Sequence, residues 1–294
     1  MVVFIIPVRH PLNTNKLERA EYFLKLTLSS ILSQTLKRFK IIVVCNDVPH
    51  INMNSNKIDF HVVNFPPPCL EKRANIPLQS GVKDKGAKLI SGFMRSLKYN
   101  PDYVFFVDSD DWVNINLVDF LLSKSISLTW YVDAGYFVDF PNKRFKKKHG
   151  LIRYCGSTWI YDPNFLFDIL NTNSIDEKSS KEEIFQNCSN INFEIFSGHQ
   201  RQWFYFHNDL NIKPRKIPFS SICWVIGTGE NHSSIEGNNI GLPINKSFCK
   251  LFGLPDSLSS NEFLSLTALS REYIGRLYSK FTWYRSVLLN KYFF

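Results

Sequence analysis

The stretch Val2 to Ile6 is apolar at every position and is ended by Pro7. A strand of that kind is covered on both faces, as in a parallel sheet flanked by helices. Leu17, Ala20, Leu24, Leu28, Ile31 and Leu32 then recur at helical spacing, which predicts an amphipathic helix over Lys16 to Ser33. A second apolar run, "KIIVVCND" from Lys40 to Asp47, follows at once. Strand, helix and strand in so short a space make a βαβ unit, whose crossover is right-handed. "FHVVNF", Phe60 to Phe65, reads as a third strand, and Pro66 to Pro68 impose a stiff loop after it. Leu89, Ile90, Phe93, Met94 and Leu97 predict a helix from about Lys85 to Leu97, and Pro101 stops the chain before a fourth strand, "YVFFV". The fold class is therefore α/β. Ligands in such sheets bind beyond the carboxyl ends of the strands, where Asp47, Asp108, Asp110 and Asp111 all fall.

With 294 residues and 44% hydrophobic content, the chain can bury a large core, as one extended domain or as a nucleotide domain with a smaller lobe. Lys and Arg outnumber Asp and Glu by 35 to 26, so the surface attracts phosphates, on a nucleic acid, an anionic membrane or a sugar nucleotide. The six cysteines are scattered without a C-x-x-C pair and read as reduced core thiols of a cytoplasmic protein. The opening residues lack the basic region of a signal peptide, and no apolar run approaches the roughly 20 residues of a membrane span.

Leu117 to Lys124 predicts a short helix, and Leu128 to Phe140 reads as strand material with Gly135 as a bend. Lys143 to Lys148, "KRFKKK", reads as a solvated basic turn, and the polar segment Asn171 to Asn190 as a surface excursion or mobile stretch. Near the end, Ser259 and Glu262 have capping-box spacing before an apolar stripe of Leu266, Leu269, Tyr273, Leu277, Phe281, Tyr284 and Leu288. Arg271, Arg276, Lys280, Arg285 and Lys291 decorate this helix. It is read either as packed against the core or as a membrane-surface or partner helix.

Carboxylates crowded at a strand end repel one another unless a cation lies between them. On an extended backbone Asp108 and Asp110 point to one side and can share a divalent ion, while Asp111 points away or caps the next helix. Mg²⁺ or Mn²⁺ suits such oxygen ligands and completes its shell with substrate phosphates. A plain polar turn is the alternative. "DKGAK", Asp84 to Lys88, is placed at a helix start, where amides with Lys85 and Lys88 favour an anion, or where it is simply a capping turn.

"FIIPVR", "LTLSSILSQT", "IIVVCND" and "FFVDSDDWV" resemble the opening strand, first helix, second strand and metal-binding strand end of the GT-A glycosyltransferases, a nucleotide-diphospho-sugar transferase fold, and most closely of family-2-like bacterial enzymes. The resemblance covers about Val2 to Lys124. It implies a Rossmann-like mixed sheet flanked by helices, with a nucleotide-sugar half over 1–140, an acceptor-binding and catalytic half over 141–255, and a helical segment over 256–294. On it, Pro7, Val8 and Arg9 line the donor pocket, Asp47 accepts a hydrogen bond from the base, and Asp108, Ser109 and Asp110 hold ribose and a metal-bound diphosphate. Arg9 touches phosphate or pairs with a neighbouring acid, and His232 in "GTGENHSS" is a further metal ligand. The general base of an inverting transfer falls to His199, Asp209 or Glu194, because Gly198 stands where related enzymes carry an acid before the histidine.

The implied activity is Mn²⁺- or Mg²⁺-dependent transfer of a sugar from a nucleoside diphosphate donor, a UDP-sugar first, to a bacterial surface glycan, free or lipid-linked. The implied location is the cytoplasm, with peripheral contact at the inner membrane face through the terminal helix. A sugar-phosphate nucleotidyltransferase and a nucleic-acid-binding protein are the alternatives. The first expects a Gly-rich basic loop that "PVRHPLNTNK" does not supply, and the second expects a nucleic-acid motif that is not seen.

Overall fold

A computed structural model describes residues 1–70, 78–171, 173–188, 210–230, 241–260 and 266–289. Its strands are β1 (Val2–Pro7), β2 (Phe39–Cys45), β3 (Ile58–Val62), β4 (Tyr103–Phe106), β5 (Trp112–Val113), β6 (Thr129–Tyr131), β7 (Ala134–Asp139), β8 (Arg144–His149), β9 (Trp159–Tyr161), β10 (Arg215–Lys216), β11 (Ile222–Ile226) and β12 (Leu242–Pro243). The helices are α1 (Leu17–Leu32), α2 (Leu78–Ser96), α3 (Leu117–Ser123), α4 (Pro163–Leu170), α5 (Lys181–Asn187), α6 (Lys246–Leu251) and α7 (Leu266–Leu289).

The larger sheet runs β10-β6-β9-β4-β1-β2-β3. β3, β2, β1 and β4 are parallel, and β9 is antiparallel to both β4 and β6. Side chains of β1 alternate between two cores, which is why none of its positions is polar. Val2, Phe4 and Ile6 pack with Leu24, Leu28 and Ile31 of α1, while Val3 and Ile5 pack with Leu89, Ile90 and Phe93 of α2. Each such side chain stabilises the fold by roughly 1.5–3 kcal/mol on burial. The smaller sheet, β12-β8-β7-β11-β5, rests on a third core containing Phe23, Trp112, Phe145, Phe248 and Phe252. Both sheets draw strands from either side of residue 140. The six cysteines are free, and all but Cys69 are buried.

Several local expectations are corrected. α2 begins at Leu78 rather than near Lys85, so Asp84 to Lys88 lies inside the helix, where its amides are bonded and offer no anion site. The basic run is not a turn but strand β8, paired with β7, with Phe145 directed into the core. Gly135 lies within β7 rather than bending it, and a Cβ there would come within 2.5 Å of the Ile222 carbonyl oxygen, so close strand approach requires the glycine. The polar segment after Asn171 contains α5, whose capping box joins Ser180 and Glu183. α7 packs along β8 through Ser279 and Trp283, while Tyr273, Leu277, Phe281 and Tyr284 of the expected stripe face solvent. Glu262 lies outside the described residues.

Candidate active site at the strand ends

Beyond β4 the chain turns instead of staying extended, with the Asp111 amide donating to the Asp108 carbonyl at 3.1 Å. The turn sends the three carboxylates different ways. Asp111 goes inward and does not cap α3, whose N-cap is Asn116. Its carboxylate accepts from the Ser157 hydroxyl at 2.6 Å, the Cys155 thiol at 3.1 Å and the Val225 amide at 3.2 Å. Burial, then the charges of Asp110 and Asp108, push it well above the usual carboxylate range. The Ser157 oxygen also accepts the Asp108 amide at 2.8 Å, so one hydroxyl pins both ends of the turn.

Asp108 and Asp110 remain partly exposed at the strand end. Lys85 reaches from α2 to pair with Asp108. Burial works against the charged lysine, but the Asp108 carboxylate outweighs it and holds Lys85 above the usual range. Asp110 accepts from the Thr228 hydroxyl at 3.2 Å, and burial followed by the Asp108 charge raises it. Gly156 lies against the Lys85–Asp108 pair, since a Cβ there would sit 2.8 Å from Lys85 Nζ and 2.9 Å from Asp108 Oδ2.

A second anchoring group comes from the loop after β11. The Glu230 carboxylate accepts the amides of Asn15 and Lys16 at 3.1 and 3.0 Å, and the Glu230 amide donates to the Thr228 hydroxyl oxygen at 3.2 Å. Arg9 pairs with Glu230 at 3.3 Å and donates to its carbonyl at 2.5 Å, which is the acid-pairing alternative considered for Arg9. Arg9 also adds its positive charge to the surroundings of Asp110. The loop thus ties Asp110 to the segment that leads from β1 into α1.

Val8, Arg9 and Asp47 line a cleft of about 180 Å³ together with Asn46, Glu21 and His50. Pro7 is the buried last residue of β1, and the Ser109 carbonyl accepts from Thr27 at 3.0 Å. Lys88 is fully buried, bonded to Asp84 and to the Val8 carbonyl, both at 2.9 Å, with Lys181 on the other Asp84 oxygen at 2.9 Å. It supports the strand-end backbone from below. His199, Asp209, Glu194 and His232 lie outside the described residues. Ser157, Thr228, Glu230 and Gly156 were not singled out from the sequence. Their only signals are a glycine amid small residues in "CGST" and a threonine between two glycines in "GTGE".

Among the described residues no group of three His, Cys, Asp or Glu side chains is placed to hold a metal ion. Asp108 and Asp110 are hard oxygen donors, and Asp110 is raised by burial first and by the Asp108 charge second, against the opposing pull of the Thr228 hydroxyl, Lys85 and Arg9.

The sequence matches no known family profile and no curated protein. Solved structures with similarity include galactosyltransferase LgtC in complex with donor and acceptor sugar analogs, 11% identical, covering 92% of this chain and 100% of that one at a TM-score of 0.35. Mannose-1-phosphate geranyltransferase from Thermus thermophilus is 10% identical over 76% of this chain and 73% of its own, at 0.41. The 2-C-methyl-D-erythritol 4-phosphate cytidylyltransferase of Francisella tularensis is 13% identical over 74% and 89%, at 0.35. Likeness this loose carries no weight on the reaction. The strand order, with its parallel β3-β2-β1-β4 half and acids beyond β2 and β4, makes this a Rossmann-like mixed α/β protein with its candidate site at the carboxyl ends of the parallel strands.

Proposed function

We propose that the protein is a glycosyltransferase that moves a sugar from a nucleoside diphosphate donor, a UDP-sugar first, to a bacterial surface-glycan acceptor. The observation that supports this best is the Asp108–Asp110 pair, partly exposed at the end of β4 and flanked by Lys85 and the clasp through Thr228. A Mn²⁺ or Mg²⁺ ion held by the two carboxylates would neutralise the diphosphate as it leaves. Asp47 and Val8, in the cleft beyond β1 and β2, suit the base and ribose, and Arg9 adds fixed positive charge. His199, Asp209 and Glu194 are the candidates to take the acceptor's proton.

The test is incubation with nucleoside diphosphate sugars and Mn²⁺, following nucleoside diphosphate release, beside incubation with nucleoside triphosphates and sugar 1-phosphates, following pyrophosphate formation. Transfer predicts release of the diphosphate, and loss of that release in Asp110→Ala and Asp108→Ala with the melting temperature kept. Pyrophosphate-linked nucleotidyl exchange would point to the nucleotidyltransferase alternative. Near-normal turnover in either variant would remove the acidic pair from the mechanism.

A further inference from the structure

α7 is turned the opposite way from an ordinary amphipathic helix. Among its described side chains, the buried ones are Ser279, whose hydroxyl accepts the His149 amide at 3.0 Å, and Trp283, which is 3% exposed and covered by the Arg153 guanidinium. The opposite side carries the apolar residues. Tyr273, Ile274, Leu277, Tyr278, Phe281 and Tyr284 occupy one continuous arc at helical spacing and are 44–70% exposed. Exposed apolar side chains so concentrated mark a contact surface rather than scattered surface residues.

The charges around this arc say what the contact is. Lys280 is exposed at one edge of the arc and Arg285 is exposed within it near the other, and Arg276 lies on the side toward β8. There the cations of Arg276, Lys280 and Lys216 converge on Lys147, whose ammonium is held below the usual lysine range by burial first and then by those three charges. From Tyr273 to Phe294 the sequence contains no Asp or Glu. A second copy of the chain meeting this face about a two-fold axis would bring like charges together. An anionic bilayer surface supplies instead both the negative charge and the apolar depth that the tyrosines, Leu277 and Phe281 require. No helix among the described residues is long and apolar enough to cross a membrane, so the arc lies on the surface.

We propose that the outer face of α7, with the neighbouring basic edge of β8, is the surface by which this protein docks on membranes rich in anionic phospholipid. The proposal does not depend on the sugar-transfer reading. Docking places the chain at a lipid surface whichever group it transfers.

The test is co-sedimentation of the full chain with phosphatidylglycerol/phosphatidylcholine vesicles and with phosphatidylcholine alone, at low and high salt. The expected result is binding to the anionic vesicles, weakened by salt. Lys280→Gln and Arg285→Gln should each weaken the partition about fivefold. Phe281→Ser should weaken it further, because an inserted ring is lost. All three side chains are exposed, so circular dichroism and melting temperature should match the unsubstituted protein. Transfer to a soluble acceptor should also be unchanged, which separates failure of docking from failure of the proposed reaction. Negligible binding at low salt, equal binding to neutral vesicles, or binding unaffected by the three substitutions would overturn the proposal. A dimer in solution that Phe281→Ser dissociates, without vesicle binding, would assign the face to a second copy instead.

Discussion

Thr228 shows how one hydroxyl can govern a site that its sequence neighbourhood does not reveal. It donates to Asp110 across 118 positions and accepts the Glu230 amide, so it orients the carboxylate while holding the loop after β11 in place. A hydrogen bond to a charged group is worth about 1.5–3 kcal/mol. Thr228→Val keeps the shape but removes the donor, and should lower kcat/KM about tenfold with little change in melting temperature. Thr228→Ser should restore most of the rate; equal rates for all three proteins would leave Asp110 independent of this contact. Gly156→Ala should act on the same site from the other side. Its methyl would displace the Lys85 ammonium or the Asp108 carboxylate, and titration calorimetry should show nucleotide affinity falling while the fold is kept. Asp108 and Asp110 stand out as candidates in the sequence because an acidic run lies directly behind an apolar strand, while the structural use of Asp111 in the same run does not show there. Ser157, Thr228 and Glu230 do not stand out, because their partners are supplied by chain folding and no local pattern encodes them.

Gln34, at the end of α1, does for whole elements what Thr228 does for one side chain. It is fully buried, its amide nitrogen donating to the Asn114 carbonyl at 2.8 Å and its amide oxygen accepting the Val118 amide at 2.9 Å. That joins α1 to the exit of β5 and the first turn of α3. Gln34→Leu leaves a carbonyl and an amide buried without those partners and should cost about 2–4 kcal/mol, read as a lower urea midpoint at unchanged m-value. A loss under about 0.5 kcal/mol, the range of ordinary surface substitutions, would mean that other groups satisfy both. The bounds of α1 were legible to within a residue, because its apolar spacing is regular and turn residues follow it. The start of α2 is concealed in the sequence, since Gly81, Lys83 and Gly86 interrupt the apolar spacing of its first turns. β8 was hidden because a lysine run has the look of a solvated turn, whereas here the Lys146 and Lys148 ammonium groups lie over the Phe137 and Tyr154 rings, each 4.8 Å from the centroid. α7 was legible as a helix but not in its orientation. Periodicity identifies an apolar face without saying whether protein or something else covers it.

Two groups that lose stability in acid lie where β3, the edge of the large sheet, is held to α2. Asp59 of β3 accepts two bonds from Arg95 at 2.9 and 2.8 Å, one from the Tyr99 hydroxyl at 2.7 Å, and pairs with Lys98 at 3.0 Å. Burial alone would raise Asp59, but these donors together hold it well below the usual carboxylate range. Two residues on, His61 is buried with Nε2 2.7 Å from the Ser91 hydroxyl, which itself donates to the Glu177 carbonyl at 3.2 Å, so Nε2 carries the proton toward Ser91. Burial, then the Arg95 charge, lower the His61 value, so the folded state favours the neutral ring. In both cases the unfolded chain binds protons more readily than the folded one, and stability falls as pH falls. The windows differ. His61 withdraws its contribution as pH drops below about 6.5, the unfolded histidine value, and Asp59 begins to do so only below about 4, the unfolded aspartate value. Asp110 and Asp111, raised in the folded state, act the other way and add stability as pH falls, so the two contributions are read in urea denaturation from pH 8 to pH 3 as differences from the unsubstituted protein. The difference for His61→Gln should change between pH 7 and pH 5 and then stay level, and Asp59→Asn should lower stability at neutral pH with the difference shrinking only below about pH 4. A curve for His61→Gln parallel to that of the unsubstituted protein between pH 7 and pH 5 would show that this histidine takes up its proton in the folded state as easily as in the unfolded one.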